Sequence, residues 1–320
     1  MIESIHKYMK LGLVHFMAYP STIRGEGPIL ETIRKVAVDE YFSAIEITTI
    51  KDPEIRRQAK KMLDSSHMRI AYGGQPRLLI TGQNINDLNE EGRQTALANM
   101  KEGIDEAYEM GAAGFAFLSG KYAEETKEES YQALVSSTRE LCAYVKSKGD
   151  MKIALEVFDY DIAKKSLIGP ASLALRYARE IRAEYDNFGL MVDLSHIPMI
   201  HETVEEALLP VKDYIIHAHI GNTVIKSPEM QAYGDEHPRF GFPNSENDVD
   251  QVVEYLRVLF NIGFLNGETL PTVSFEVKPV GDEDPDIVVA NAKRTLNEAW
   301  AKTPHPRPLS EREGRGDGIA

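Results

Sequence analysis

The sequence holds a single cysteine, Cys142, which excludes an intramolecular disulfide and a thiolate-built metal site. Cys142 lies in the helix-like stretch RELCAYVKSKG, where a small buried hydrophobe fits. No apolar run reaches the ~18 residues of a membrane span, and MIESIHKYMK has no apolar signal core. A cytoplasmic protein without a membrane partner is the expectation. Basic residues are also scarce relative to acidic ones, 36 against 50, for a formal charge of −14. No Lys/Arg cluster with interleaved aromatics offsets that total, so nucleic acid is not an expected partner. A glycine-rich phosphate loop of the GxGxxG type is missing after every strand candidate. GEG at 25–27 follows the first strand too distantly and reads as a solvated turn.

What is present is alternation. Short apolar runs at 11–16, 43–48, 68–73, 114–118, 151–157, 189–193, 214–219 and 272–277 are separated by helix-length segments. VDQVVEYLRVLFNIG, for example, has Val252, Val253, Leu256, Leu259 and Phe260 on one helical face. Glycines in EMGAAGF, KSKGDMK and FNIGFL mark helix ends in the left-handed conformation. Eight strands, each followed by a helix, predict a (β/α)₈ TIM barrel forming one domain over residues 1–302. From 303 the chain turns to TPHPRPLSEREGRGDGIA, rich in Pro, Gly and Arg and nearly free of apolar residues. This C-terminal tail, 303–320, cannot bury enough surface to fold and is expected to be disordered.

Charged groups stand where such a barrel keeps its chemistry. Glu156 in ALEVFD, Asp193 in GLMVDLSH, His219 in IIHAHIGN and Glu276 in TVSFEVKP each end an apolar run. Barrel strands point their last inward residues into the C-terminal mouth. Carboxylates flanked by Leu155 and Val157, or by Phe275 and Val277, are poorly placed as solvated surface groups. Crowded without a cation they would repel one another. Three oxygens and one nitrogen suit a divalent metal; Mn²⁺ is favoured, and Mg²⁺, Co²⁺ or Zn²⁺ also fit. Other residues expected to face the mouth and touch substrate are His15, Glu46, His217, Asn222, His237 and Lys278. His237 sits in a long loop after the seventh strand, and loops of that length often act as lids.

DLSH, HAHIGN, the EV before a Phe-Asp turn and the final FEV resemble motifs of the xylose isomerase-like TIM barrels, which include the sugar phosphate isomerases and epimerases. The similarity spans roughly residues 10–300. It implies that Glu156, Asp193, His219 and Glu276 ligate the metal. It also implies that His196 of DLSH contacts substrate and that the two glutamates exchange a sugar proton, making Glu156, Glu276 and His196 catalytic. One departure stands out: ketose epimerases of this group place an arginine soon after His-x-His. Here the continuation carries Asn222 and Lys226, with no arginine before Arg239, so substrate is gripped differently.

The reading is therefore a metal-dependent sugar isomerase/epimerase that abstracts a proton next to a carbonyl and passes through an enediolate. The alternative is a carbon–carbon lyase. VHFMAYP, FDYDIAKKSLIGP and YGDEHPRFG resemble large subunits of C-glycoside deglycosidases, which cleave 3-oxo-C-glycosides by β-elimination and pair with a small β-rich subunit. His15 or His237 would then be the acid. The partner in either case is a small-molecule sugar or glycoside. Assembly is expected as a homo-oligomer, or as a hetero-oligomer with the small subunit for the lyase. The endonuclease IV branch of the same superfamily is opposed by the charge and by too few histidines. A sugar-binding barrel without catalysis leaves the metal set without a reason.

Overall fold

The computed structural model describes residues 3–303. Eight parallel strands follow in chain order: β1 Lys10–Leu13, β2 Ala44–Ile47, β3 Arg69–Gly73, β4 Gly114–Leu118, β5 Lys152–Glu156, β6 Phe188–Asp193, β7 Ile215–Gly221 and β8 Thr272–Glu276. Each pairs with its sequence neighbour from β2 through to β8, and β8 returns to β1. The remaining gap, β1 to β2, is bridged by Val14 opposite Glu46 and by Ser43 N–H donating to the Leu11 carbonyl at 2.8 Å. The ring of strands is a (β/α)₈ barrel, as the alternation predicts.

The strands formed where the sequence placed them because parallel strands are buried on both faces and read as apolar runs. Helices pack outside them, among them Ile29–Ala37, Glu90–Met110, Lys127–Lys148, Val249–Asn261 and Pro285–Lys302. Leu11 and Leu13 of β1, Leu190 of β6 and Phe275 of β8 lie in the core between sheet and helices. Asp52, Asn89, Asp248 and Asp284 cap helices by accepting backbone N–H groups, which satisfies donors left over at helix starts. Gly111 and Gly263 take the expected left-handed conformation, at φ 74° and 77°. Gly149 differs: its backbone is extended, with φ 163°, so that helix ends without the left-handed turn.

Two expectations shift at the chain ends. The first strand stops at Leu13, and His15–Ala18 is already a short helix. At the other end Thr303 is buried and its N–H reaches the Ala299 carbonyl at 2.9 Å; the rest of the segment read as a tail, 304–320, lies outside the described residues. Among those described, no helix is long and apolar enough to cross a membrane.

Candidate active site

Glu156, Asp193, His219 and Glu276 meet at the C-terminal ends of β5, β6, β7 and β8. His219 Nδ1 lies 3.5 Å from Glu156 Oε1, 3.6 Å from Asp193 Oδ2 and 2.6 Å from Glu276 Oε2. Donors bound to one cation at about 2.1 Å stand roughly 3 to 3.5 Å apart, so the spacing suits a shared ion.

Three of the four side chains follow one pattern: one polar atom is anchored and the other aims inward without a hydrogen bond. Glu156 Oε2 accepts from Gln75 Nε2 at 2.7 Å, and Asp193 Oδ1 accepts from the Ser195 N–H at 2.5 Å. His219 Nε2 is bonded to Glu46 Oε1 at 3.0 Å. That leaves Glu156 Oε1, Asp193 Oδ2 and His219 Nδ1, together with Glu276 Oε2, buried and without a hydrogen-bond partner. The short His219–Glu276 approach lacks hydrogen-bond alignment. Four converging buried atoms with unmet polarity are what a metal ion satisfies. The ligand residues thus fit a divalent cation.

Electrostatics agree with that fit. Burial disfavours charge on His219, but the surrounding carboxylates, Glu46 and Glu276 first, outweigh it and raise its pKa well above the ordinary value. Such crowding calls for positive charge at this spot, a proton or a cation. Glu276 is raised, chiefly by burial, with His237 and His219 pulling the other way.

The other expected residues divide. His196 donates Nδ1–H to the Val157 carbonyl and Nε2–H to Asp235 Oδ1, both at 2.9 Å. Both partners accept, so both ring nitrogens carry protons. Burial opposes that charge, yet Asp235, Asp193 and Glu156 lift the pKa to about 10. His196 stands 3.8 Å from Glu156 as a fixed cation, with no ring nitrogen left for a substrate hydroxyl. His237 is brought in: Nε2 is 2.8 Å from Asp235 Oδ1 and 3.6 Å from Glu276 Oε1, and Nδ1 has no hydrogen bond. Its approach requires Gly221, because a Cβ there would stand 3.0 Å from His237 Nδ1 and 3.1 Å from Asp193 Oδ1.

Five residues expected to touch substrate are held by bonds within the protein. His15 is on the helix side of the sheet, with Nε2 bonded to Thr32 Oγ1 at 2.8 Å, because the chain bends out of β1 before reaching it. Glu46 and His217 lie beneath the metal donors: His217 Nε2 is 2.6 Å from Glu46 Oε1, and the pair steers His219. The Asn222 side chain is spent inside the loop, donating to the Arg239 carbonyl and accepting from the Thr223 and Asn247 N–H groups. Lys278 pairs with Glu236 of the loop after β7, since the chain has left the strand after Glu276.

Three neighbours of these residues escaped the sequence reading. Gln75 follows β3, Asp235 stands two residues before His237, and Lys164 lies in the loop after β5. Asp159 builds that loop by accepting the N–H groups of Ile162, Ala163, Lys164 and Lys165 at 2.7–3.2 Å. The turn delivers Lys164 Nζ to 2.6 Å from Asp235 Oδ2. The acid two residues before a loop histidine was the available signal for Asp235; Gln75 and Lys164 left none.

The sequence profile of the xylose isomerase-like TIM barrel matches residues 36–265. The chain belongs to that family. A search of curated protein sequences returns no match. Among solved structures, a D-tagatose 3-epimerase-like protein is 20% identical with a TM-score of 0.67, over 92% of this chain and 99% of that one. The IOLI protein with a binding zinc atom is 19% identical at TM-score 0.70, over 93% and 100%. The 3-keto-D-glucoside 4-epimerase YcjR from E. coli is 17% identical at TM-score 0.59, over 92% and 99%. At these identities the likeness establishes the shared barrel, and the family's chemistry must be argued from the residues.

Proposed function

We propose that the protein is a divalent-metal-dependent sugar isomerase/epimerase that removes a proton from the carbon next to a carbonyl. One observation carries this reading: four unpartnered ligand atoms from four consecutive strands converge on one point. The family membership and the epimerase names of similar structures support it.

When bound, a divalent ion, Mn²⁺ by preference, supplies Lewis-acid polarisation of the substrate's carbonyl oxygen. The chain's own groups move the proton. Glu276, its pKa raised by burial, is the better base toward a weakly acidic C–H. Glu156, steadied by Gln75 and faced by the His196 cation, enters this step as the carboxylic acid and gives its proton to the other side of the enediolate, after which both carboxyls are reset by exchange with solvent. Removal from one face and return to the other inverts the carbon. His237 and His196, joined through Asp235, supply the positive wall that an arginine supplies in ketose epimerases.

C-glycoside cleavage is the second reading, favoured by His237. This imidazole is carried on a loop over the site, and burial, which lowers its pKa, is outweighed by Glu276, Asp235 and Asp193, which lift it to about 9. A protonated ring beside the base is a suitable acid for a departing aromatic carbon. The first reading goes with a homo-oligomer, the second with a small β-rich subunit.

The test is solvent deuterium exchange at the sugar C–H, with ketoses and 3-oxo-glycosides each offered to the Mn²⁺-loaded protein. Glu276→Gln and Glu156→Gln are expected to lose at least 10²-fold in exchange while the circular dichroism spectrum is kept. Exchange at the wild-type rate in both variants rejects the proton-transfer roles. Release of the aglycone from a 3-oxo-C-glycoside moves the assignment to the lyase.

A further inference from the structure

Beneath the metal donors the barrel is hollow. Closed (β/α)₈ barrels ordinarily fill this space with layers of branched side chains. Here Ala71, Ala116, Ala154 and Met191 line a cavity of about 660 Å³. Across the barrel, Gly12 faces Ser274 and Ala44 and adds no bulk. Arg69, Lys152 and Thr272, at the strand starts, together with the 262–271 segment before β8, form the rim, so the cavity opens at the N-terminal end. Its inner end is Glu46 and His217, and it does not include the four metal donors.

The lining has a sign. Arg69, Lys152 and Lys212 stand around the opening, with Lys152 Nζ 3.4 Å from the Asp186 carbonyl. Arg69 donates to neutral oxygens, the Leu270 carbonyl at 2.7 Å and Thr272 Oγ1 at 3.3 Å, so its charge is left unmatched by those bonds. Glu46 is the one acid of the lining, and its Oε1 is already shared by His217 and His219. Cations at the rim above apolar walls fit an organic anion with an apolar body, and the volume lies in the range of small-molecule sites.

We propose that the N-terminal end of the barrel is a second binding site, for a small organic anion with an apolar body such as an aromatic carboxylate. The anionic head meets Arg69, Lys152 and Lys212, and the body lies against Ala71, Ala116 and Ala154. This inference is independent of the reaction at the opposite mouth.

Calorimetric titration of the full chain with 2-naphthoate tests it. One-to-one saturable binding is expected, weaker by at least tenfold in Ala154→Leu, which fills the cavity. Exchanging both exposed rim lysines, Lys152→Glu with Lys212→Glu, is expected to weaken it severalfold without touching the core. Neutral 2-naphthamide is expected to bind less tightly than the carboxylate. No saturable binding to the wild type means a solvent-filled hollow and overturns the proposal. So does an unchanged Kd in a folded Ala154→Leu protein, or equal affinity for the amide. If Ala154→Leu does not fold, the rim variant decides alone: unchanged affinity there overturns the site.

Discussion

His15 illustrates how one bond direction fixes a side chain's use. The Thr32 hydroxyl donates to the Pro28 carbonyl at 2.9 Å, so it accepts from His15, and His15 holds its proton on Nε2. Burial without a compensating acid drives its pKa from 6.5 down to about 3. Between those values the unfolded chain binds the extra proton and the folded one does not, so stability rises with pH across that window and is lost on acidification. From pH 7 to pH 5 this group alone costs about 2 kcal/mol. His15→Asn is expected to flatten the urea-derived stability slope between pH 5 and 7 by about that amount, with proton exchange on sugar little changed. A large loss of exchange instead would return His15 to the substrate. His219 shows the opposite use of a ring: Glu46 takes Nε2, and Nδ1 is therefore presented to the metal position.

Two loops, not the strands, set the wall of the site. The segment after β7 brings Asp235 and His237 over the strand ends, and the segment after β5 brings Lys164 against Asp235. Gly234, at φ 81°, lets them pack, since a Cβ there would lie 2.9 Å from Ala163 Cβ. Asp235 is the shared member: its carboxylate holds His196, His237 and Lys164, which keep its own pKa well below the usual range against the effect of burial. Asp235→Asn keeps the shape but removes the charge that orients both imidazoles. Its expected effect is a 10- to 100-fold fall in the exchange rate, the size typical of partners that orient metal-site groups. Mn²⁺ affinity, read by calorimetry, is expected to change far less than in Asp193→Asn. Equal losses of metal in the two variants would make Asp235 part of the metal's own shell.

At the scale of the whole barrel, the proposed metal centre ties stability to metal binding. Four strands each contribute a ligand atom, so an ion that joins them opposes separation of β5 to β8. Mn²⁺ at 100 times its Kd adds about 2.7 kcal/mol, which for a chain of this length raises Tm by roughly 4 °C over the chelator-treated protein. The shift is expected to vanish in Asp193→Asn. A wild-type Tm indifferent to Mn²⁺, Zn²⁺, Co²⁺ and Mg²⁺ would argue against a metal centre.

Local pattern in the chain was enough to place the barrel and the four strand-end residues that converge in it. Parallel strands buried on both faces leave apolar runs that local reading detects, and the last inward residue of each run, Glu156, Asp193, His219 or Glu276, can face only the mouth. What surrounds them came from the assembled fold. Loop residues carry no period to give their direction, so Asn222 is spent within its loop and Lys278 pairs with Glu236, while Asp235 and Lys164 turned in. Gln75 meets Glu156 from 81 positions away, and Glu46 meets His219 across the barrel from 173. Closure of the ring creates those neighbours, and no stretch of chain short enough to be read locally contains both members of either pair.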